Sequence, residues 1–349
     1  MTLRAPFPWF GGKSRAASLI WARFGDVPNY VEPFAGSLAV LLSRPHEPRT
    51  ETVNDLDCYL ANFWRALQVA PDDVARWADA PVNEADLLAR HRWLRETGME
   101  RIAALRTDPE HFDAKVAGWW VWGLCAWIGS GWCRHDAHAR VPDKLPHLGD
   151  AGMGVHRPSQ KLPNLGNAGR GVHRPSQKLP LLGNAGVGVH RPSQKLPHLG
   201  DAGRGVADYF AALAARLRRV RVACGDWSRV LGESVTVKHG MTAVLLDPPY
   251  SDDEHDVKYA AHSSVAGDVR AWALANGDNP LLRIALCGYA GEHEMPGWTE
   301  VPWKARGGYG SQADGRGRAN AARERIWFSP HCLPVMPEQP SLLGDTQCA

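Results

Sequence analysis

The run Val244-Leu245-Leu246-Asp247-Pro248-Pro249-Tyr250 limits what this chain can fold into more than any other stretch. Branched apolar residues in succession read as a buried strand, and two consecutive prolines, which carry no N–H donor, forbid its continuation. The chain must turn just where a carboxylate and a phenol appear. Asp247 and Tyr250 therefore belong at the carboxyl end of a strand, the edge along which open α/β sheets bind ligands, with Pro248 and Pro249 stiffening the turn. A bare Asp-Pro needs no more than ordinary turn chemistry; the full four-residue form after a strand is more specific.

Further strands follow the same logic. Tyr30-Val31-Glu32 runs into Pro33-Phe34-Ala35-Gly36-Ser37 and an apolar helix from Leu38 to Leu42, a strand, glycine turn and helix that leave free N–H groups and a positive dipole end beside a ligand. Thr52-Val53-Asn54-Asp55 ends in an acid roughly twenty residues after that turn, where nucleoside-binding α/β folds hold the ribose hydroxyls. Asp55 is the first choice for that task; Asp57 is the second and suits a helix cap near Leu60 as well. Val220 to Cys224, Leu281 to Cys287 and Glu324 to Phe328 read as strands too, the first leading to Asp226. Near the start, Gly11-Gly12-Lys13 precedes a helix from Ser14 to Arg23 and allows close backbone approach beside a positive charge.

Between the second and third of these strands the pattern changes. From Leu60 to Trp132 it is helical, with Phe63, Trp64 and Leu67 on one face, a second helix at Glu84 to Glu96 and a helix start at Asp108-Pro109-Glu110. The tryptophan-rich run Gly118 to Trp127 is too apolar for a surface loop and reads as the core of a helical insertion rather than a platform for bases. Next comes a seventeen-residue repeat, Lys144 to Gln160, Lys161 to Gln177 and Lys178 to Gln194, with a partial fourth copy to Val206. Each copy has two prolines and three glycines, so turns and extended segments fit it and helices do not. From Lys144 to Gly205 nine Lys or Arg stand against two acids. Lys144, Arg157, Lys161, Arg174, Lys178, Arg191, Lys195 and Arg204 accordingly suit contact with DNA phosphates, although a duplicated surface loop would need no such role.

Composition adds exclusions. With 40 Lys plus Arg against 37 Asp plus Glu the average charge is nearly neutral. The seven cysteines lack paired spacing, which argues against a zinc site or disulfide framework and for reduced, mostly buried thiols. His255-Asp256 lacks a third spaced ligand, so no metal is expected. Met1 to Phe10 has no apolar signal core and no apolar span is long enough for a bilayer; the expectation is a soluble, cytoplasmic protein.

Asp247-Pro248-Pro249-Tyr250 resembles the DPPY motif of the S-adenosylmethionine-dependent amino-methyltransferases, which methylate exocyclic amino groups of DNA bases. The order of elements, with Trp9 to Lys13 first, then Glu32-Pro33-Phe34-Ala35-Gly36, then the insertion, then DPPY, is similar to that of the DNA adenine methyltransferase family. Many members carry a second glycine where this chain has Leu38. The resemblance implies that Trp9, Gly12 and Lys13 lie against cofactor and target base, that Glu32, Pro33, Phe34 and Gly36 form the cofactor loop, and that Asp226 and its neighbour contact the cofactor's adenine. With Asp55 and Asp247 these make up the expected S-adenosylmethionine site. Expected architecture is α/β, a Rossmann-like doubly wound, mostly parallel sheet: a catalytic domain of residues 1–58 and 206–335, an inserted helical and loop-rich recognition domain over 59–205, and a disordered tail over 336–349.

The implied reaction moves a methyl group to the N6 amino group of adenine in double-stranded DNA. It needs no covalent nucleophile, only in-line placement and acceptors: Asp247 and the Pro248 carbonyl for the amino hydrogens, with Tyr250 stacked on a flipped base. Cytosine-N4 methylation uses nearly the same site, though its motif more often begins with serine. A DNA-binding protein with a decayed cofactor site is the reading from another class, hinted at by Leu38. The resemblance also leaves open a cognate restriction nuclease, as in restriction-modification pairs.

Overall fold

The computed structural model describes residues 3–9, 11–108, 110–127, 131–133, 205–250, 260–303 and 323–334. Repeat residues 144–204, and with them all eight basic residues proposed for DNA contact (Lys144, Arg157, Lys161, Arg174, Lys178, Arg191, Lys195, Arg204), lie outside the described residues. So do the tail 336–349 and the His255-Asp256 pair.

Seven strands form one sheet in the order β3-β2-β1-β4-β5-β7-β6. They are β1 Asn29–Glu32, β2 Thr50–Asp55, β3 Val220–Cys224, β4 Thr242–Leu246, β5 Leu282–Tyr289, β6 Thr299–Pro302 and β7 Glu324–Phe328. The first five run parallel, and β7 is antiparallel to both neighbours. This is the expected doubly wound, mostly parallel sheet. Every residue of β1 and β4 is buried, as central parallel strands covered on both faces must be. Along β4 the side chains alternate: Ala243 and Leu245 enter the larger core, Val244 and Leu246 the smaller. The edge strand β6 escaped the sequence reading because Thr-Glu-Val-Pro is short and mostly exposed, with the proline tolerated at an edge.

Helices α1 Ala17–Phe24, α2 Ala39–Leu42, α3 Cys58–Val69, α4 Pro71–Ala78, α5 Glu84–Trp93, α6 Ala114–Ala126, α7 Val206–Leu217 and α8 Ala260–Asn276 complete the main elements. Phe63, Trp64 and Leu67 of α3, Val74 of α4 and Trp120 of α6 share one apolar core with Ile20, Trp21 and Phe24 of α1 and with the sheet. Trp120 and Trp122 are buried, so the tryptophan run serves the core at those positions. A Cβ on Gly118 of α6 would strike Trp77 and come within 2.7 Å of the Val74 carbonyl, so only glycine lets α6 lie this close to α4.

One local detail differs from expectation and another follows it. The helix anticipated at Asp108 begins at Ala114, because Asp113 accepts the Val116 N–H at 2.8 Å and is itself fixed by Asn62, whereas Asp108 only closes a turn onto Glu110. Asp57 caps α3 through the N–H groups of Tyr59 and Leu60. Where the chain returns at α7, Arg216 grips Glu51 of β2 with two hydrogen bonds of 2.7 and 2.9 Å, and Arg44 meets the same carboxylate at 3.2 Å.

Candidate active site at the sheet's switch point

The strand order reverses between β1 and β4: the chain leaves β1 towards β2 and β3, then crosses to β4 and β5 on the other side. Loops departing in opposite directions open a crevice there, at the strands' carboxyl ends. Glu32 ends one of the two strands that flank it and Asp247 directly follows the other.

On the β4 side, Pro248 is buried and Pro249 exposed, and they carry the chain away from the sheet. The Asp247 carboxylate, 21 % exposed, receives Lys13 Nζ at 2.8 Å. Lys13 is 3 % exposed and also donates to the Gly11 carbonyl at 2.8 Å, across a turn in which Gly11 takes φ 75°. Burial alone would lower the Lys13 pKa; Asp247 first, then Cys287 and Glu324, outweigh it and hold the ammonium above its ordinary pKa. The Tyr250 ring lies under that ammonium, 5.1 Å from Nζ to centroid, and packs edge-on against Tyr289. Its hydroxyl is 3.2 Å from Asp247 Oδ1 and 3.0 Å from Glu324 Oε2. Trp303 stands on the same cation, 5.6 Å away, with a buried indole N–H that finds no partner among the described residues.

Glu324 was not foreseen. It opens the last strand, is buried, and has its pKa raised by that burial against the opposing pull of Lys13. The signal in the sequence was slight: one acid at the head of an apolar strand, with nothing to say which other strand ends it would meet.

On the β1 side the glycine turn is held by Asp55, the acid that ends β2. Asp55 Oδ2 accepts the Gly36 N–H at 3.0 Å, and Oδ1 accepts the Asp57 N–H at 2.9 Å. Burial raises Asp55 to about 6, helped by the Asp57 charge and countered by these backbone hydrogen bonds. Gly36 itself has φ 46°, and a Cβ there would come 2.7 Å from the Trp9 indole nitrogen, so Trp9 lies directly on the turn. Gly12 abuts the same place, its missing Cβ 3.4 Å from the Trp9 carbonyl. Asn54, also unforeseen, donates to the carbonyls of Pro33 and Gly225 at 3.0 Å each and so stitches the loops after β1 and β3 together. Phe34 and Trp227 complete the join as stacked rings 6.2 Å apart. Asp226 is exposed; its carboxylate accepts from the Ser228 hydroxyl and N–H, which hold it below the usual range.

Glu32 sits between the two halves. Burial pushes its pKa well up, the Tyr30 hydroxyl opposes that through a 3.1 Å hydrogen bond, and the charges of Asp247 and Asp55 both reach it. Asp247 and Glu324 thus lie about buried Lys13, while Glu32 faces both Asp247 and Asp55, so the crevice is lined by carboxyl groups that suit a cationic ligand. Leu56, 63 % exposed beside Asp55, and the Phe34–Trp227 pair offer apolar surface next to acids, a set that fits an adenosine carrying a sulfonium. Among the described residues no group of three or more His, Cys, Asp or Glu could hold a metal ion, and no helix is long and apolar enough to cross a membrane.

Leu38 adopts φ 53°, ψ 27° with its side chain fully buried in the core. The backbone keeps the glycine-like conformation and the side chain turns away from the crevice into the apolar interior.

Residues 9–110 match the model of a family described as D12 class N6 adenine-specific DNA methyltransferase. The matched stretch contains the Gly11-Gly12-Lys13 turn, the glycine turn and Asp55; the Asp247 corner lies beyond it. None of the curated proteins compared with the chain matches it.

Proposed function

We propose that the chain is a D12 class N6 adenine-specific DNA methyltransferase, the family whose model its residues 9–110 match, and that the Asp247 corner is where its methyl transfer takes place. Enzymes of this class take the methyl group from S-adenosylmethionine and place it on the N6 amino group of adenine in DNA. The observation that carries the site assignment is the buried Lys13–Asp247 pair at the switch point. It fixes the direction of a carboxylate at the strand end, as an acceptor for amino hydrogens has to be.

The chain's own residues divide the work. Asp247 and the Pro248 carbonyl accept from the amino group, which keeps nitrogen electron density available to attack. Tyr250 borders the base and is set by Glu324. Asp55, through its remaining lone pairs, takes the ribose hydroxyls of the donor. Phe34, Leu56 and Trp227 cover its adenine, while Trp9, Gly12 and Gly36 shape the floor. Asp247 faces the donor's positive charge.

The finer readings have sequence support. The proposed substrate form is duplex DNA with the target base flipped out, at a cost of a few kcal/mol that contacts to phosphates offset. Segment 59–205 would supply those contacts through the basic repeats. A cognate restriction nuclease is a further candidate partner, tested by whether methylated DNA gains resistance in host extracts, and a cytoplasmic location would follow from that pairing.

The decisive assay incubates the chain with duplex DNA and labelled S-adenosylmethionine, then digests the DNA to nucleosides for mass identification. N6-methyladenine is expected; N4-methylcytosine would replace the adenine reading. Asp247→Ala should abolish transfer while DNA affinity stays within about threefold, well under the change that 1.4 kcal/mol represents. Retained transfer in that variant would remove Asp247 from the site.

A further inference from the structure

Cys58 opens α3 and Cys224 ends β3, and their sulfur atoms lie 3.5 Å apart with the Cys224 thiol donating to Cys58. Cys224 is buried, whereas Cys58 is half-buried. A cavity of ≈ 290 Å³ reaches Cys58 and is lined also by Asp57, Tyr59, Arg106 and Cys133, room enough for a small oxidant. The Cys58 thiol is held below its ordinary pKa, chiefly by that donated hydrogen bond and further by the Arg106 guanidinium, against the opposing effect of its partial burial. A thiolate beside a cation, with a second thiol in contact, has what a sulfur needs to be oxidised and then resolved.

We propose that Cys58 and Cys224 form a reversible disulfide, and that this modification weakens binding of the methyl donor. The oxidant is a peroxide. The Cys58 thiolate takes one peroxide oxygen as the O–O bond breaks, giving a sulfenic acid and, after proton uptake, water. The Cys224 sulfur then displaces the hydroxyl from Cys58, forming the S–S bond and releasing a second water. The two thiols together lose two electrons and two protons, and the peroxide gains both electrons. A bond of this kind requires the sulfurs to close by roughly 1.5 Å, within reach of small side-chain and backbone shifts.

That closure would fall on the donor site, and this half of the proposal rests on the reading given above. Cys58 follows Asp57, whose N–H is bound by Asp55, and Cys224 precedes the Gly225-Asp226-Trp227 loop. Within the sheet Cys224 is the register partner of Asp55. Drawing α3 onto β3 therefore displaces the Asp55–Leu56 rim relative to Trp227, and the crevice for the adenosine narrows.

The full chain, reduced and then treated with a few equivalents of hydrogen peroxide, is digested without reductant for peptide mass mapping. A linked Cys58–Cys224 peptide that disappears on adding dithiothreitol is expected. In equilibrium dialysis the oxidised chain should bind S-adenosylmethionine at least about fivefold more weakly, with recovery on reduction, and Cys58→Ser should show no response to peroxide. A map in which Cys58 stays reduced or proceeds to sulfinic acid with no linked peptide would overturn the proposal. So would unchanged donor affinity in a sample shown to be cross-linked. Absence of donor binding by the reduced chain would count against the donor-site reading and the regulatory claim with it, while the mass map decides the bond itself.

Discussion

Lys13 Nζ and Asp247 Oδ1 stand 2.8 Å apart, and this pair fastens the turn before α1 to the turn that ends β4. With Lys13 removed, Asp247 would be left near Glu32 and Glu324 without its buried cation. Breaking a buried pair on one side costs on the order of 3–5 kcal/mol, and the partial exposure of Asp247 places this case near the lower end. Lys13→Met should therefore lower the midpoint of denaturant unfolding and reduce kcat at least about a hundredfold. Adding Asp247→Asn should restore most of the stability and none of the activity. A single variant with unaltered unfolding and turnover would show that the pair matters to neither.

The Tyr250 hydroxyl has one proton and two carboxylates in reach, Asp247 and Glu324. It can donate to only one at a time, so the other contact needs a proton from the acid; Glu324, whose pKa burial raises, is the group suited to hold it. Glu324→Gln should keep the fold and lower kcat by about tenfold while leaving KM for the donor within about twofold. The acid limb of the kcat–pH profile should also move, because glutamine cannot titrate. An unchanged profile with reduced turnover would assign Glu324 a purely structural part.

Asp55 offers a pH test with a defined sign. Its folded-state pKa of about 6 lies above the ordinary carboxylate range because of burial, so the folded chain holds this proton more tightly than the unfolded one does. Its contribution therefore favours the fold at low pH and is lost as pH rises from about 4 through about 6. Donor binding should run the other way, since the ionised carboxylate is the better acceptor for ribose hydroxyls. Dialysis across pH 5 to 8 should show affinity rising with a midpoint near 6 in the native chain. Asp55→Asn should bind more weakly and flatten that rise; a variant that keeps the full pH dependence would move the titration to another group.

Much of the frame could be read from local pattern. The β4 run and its two prolines, the glycine turn and Asp55 each carry their structural meaning within a few residues, which is why strand ends and turn chemistry were visible. Asp57 as a helix cap was legible for the same reason. Glu324, Asn54 and Trp303 were not, because their roles depend on which strands become neighbours. Nothing near Glu324 in sequence states that β7 inserts antiparallel beside β5 and brings its first residue to Tyr250. Asn54 likewise looks like any strand residue until β1 and β3 are placed on either side of β2. The helix start at Asp108 was misplaced because Asp113 has a tertiary partner, Asn62, that local spacing cannot reveal.

Leu38 bears on whether the donor site has decayed. A leucine at φ 53° costs roughly 1–2 kcal/mol of backbone strain, but its side chain is wholly buried, worth about 1.5–3 kcal/mol, with more at stake if a cavity is left. Leucine at this position is thus held in place by the core rather than by the crevice. Leu38→Gly should relieve the strain yet destabilise the chain by on the order of 2 kcal/mol, measured by denaturant unfolding, because the lost packing exceeds the relief. Affinity for S-adenosylmethionine should change by less than about twofold, since the side chain points into the apolar core. A tenfold gain in donor affinity would mean instead that leucine obstructs the glycine turn, and that the native chain carries a weakened donor site.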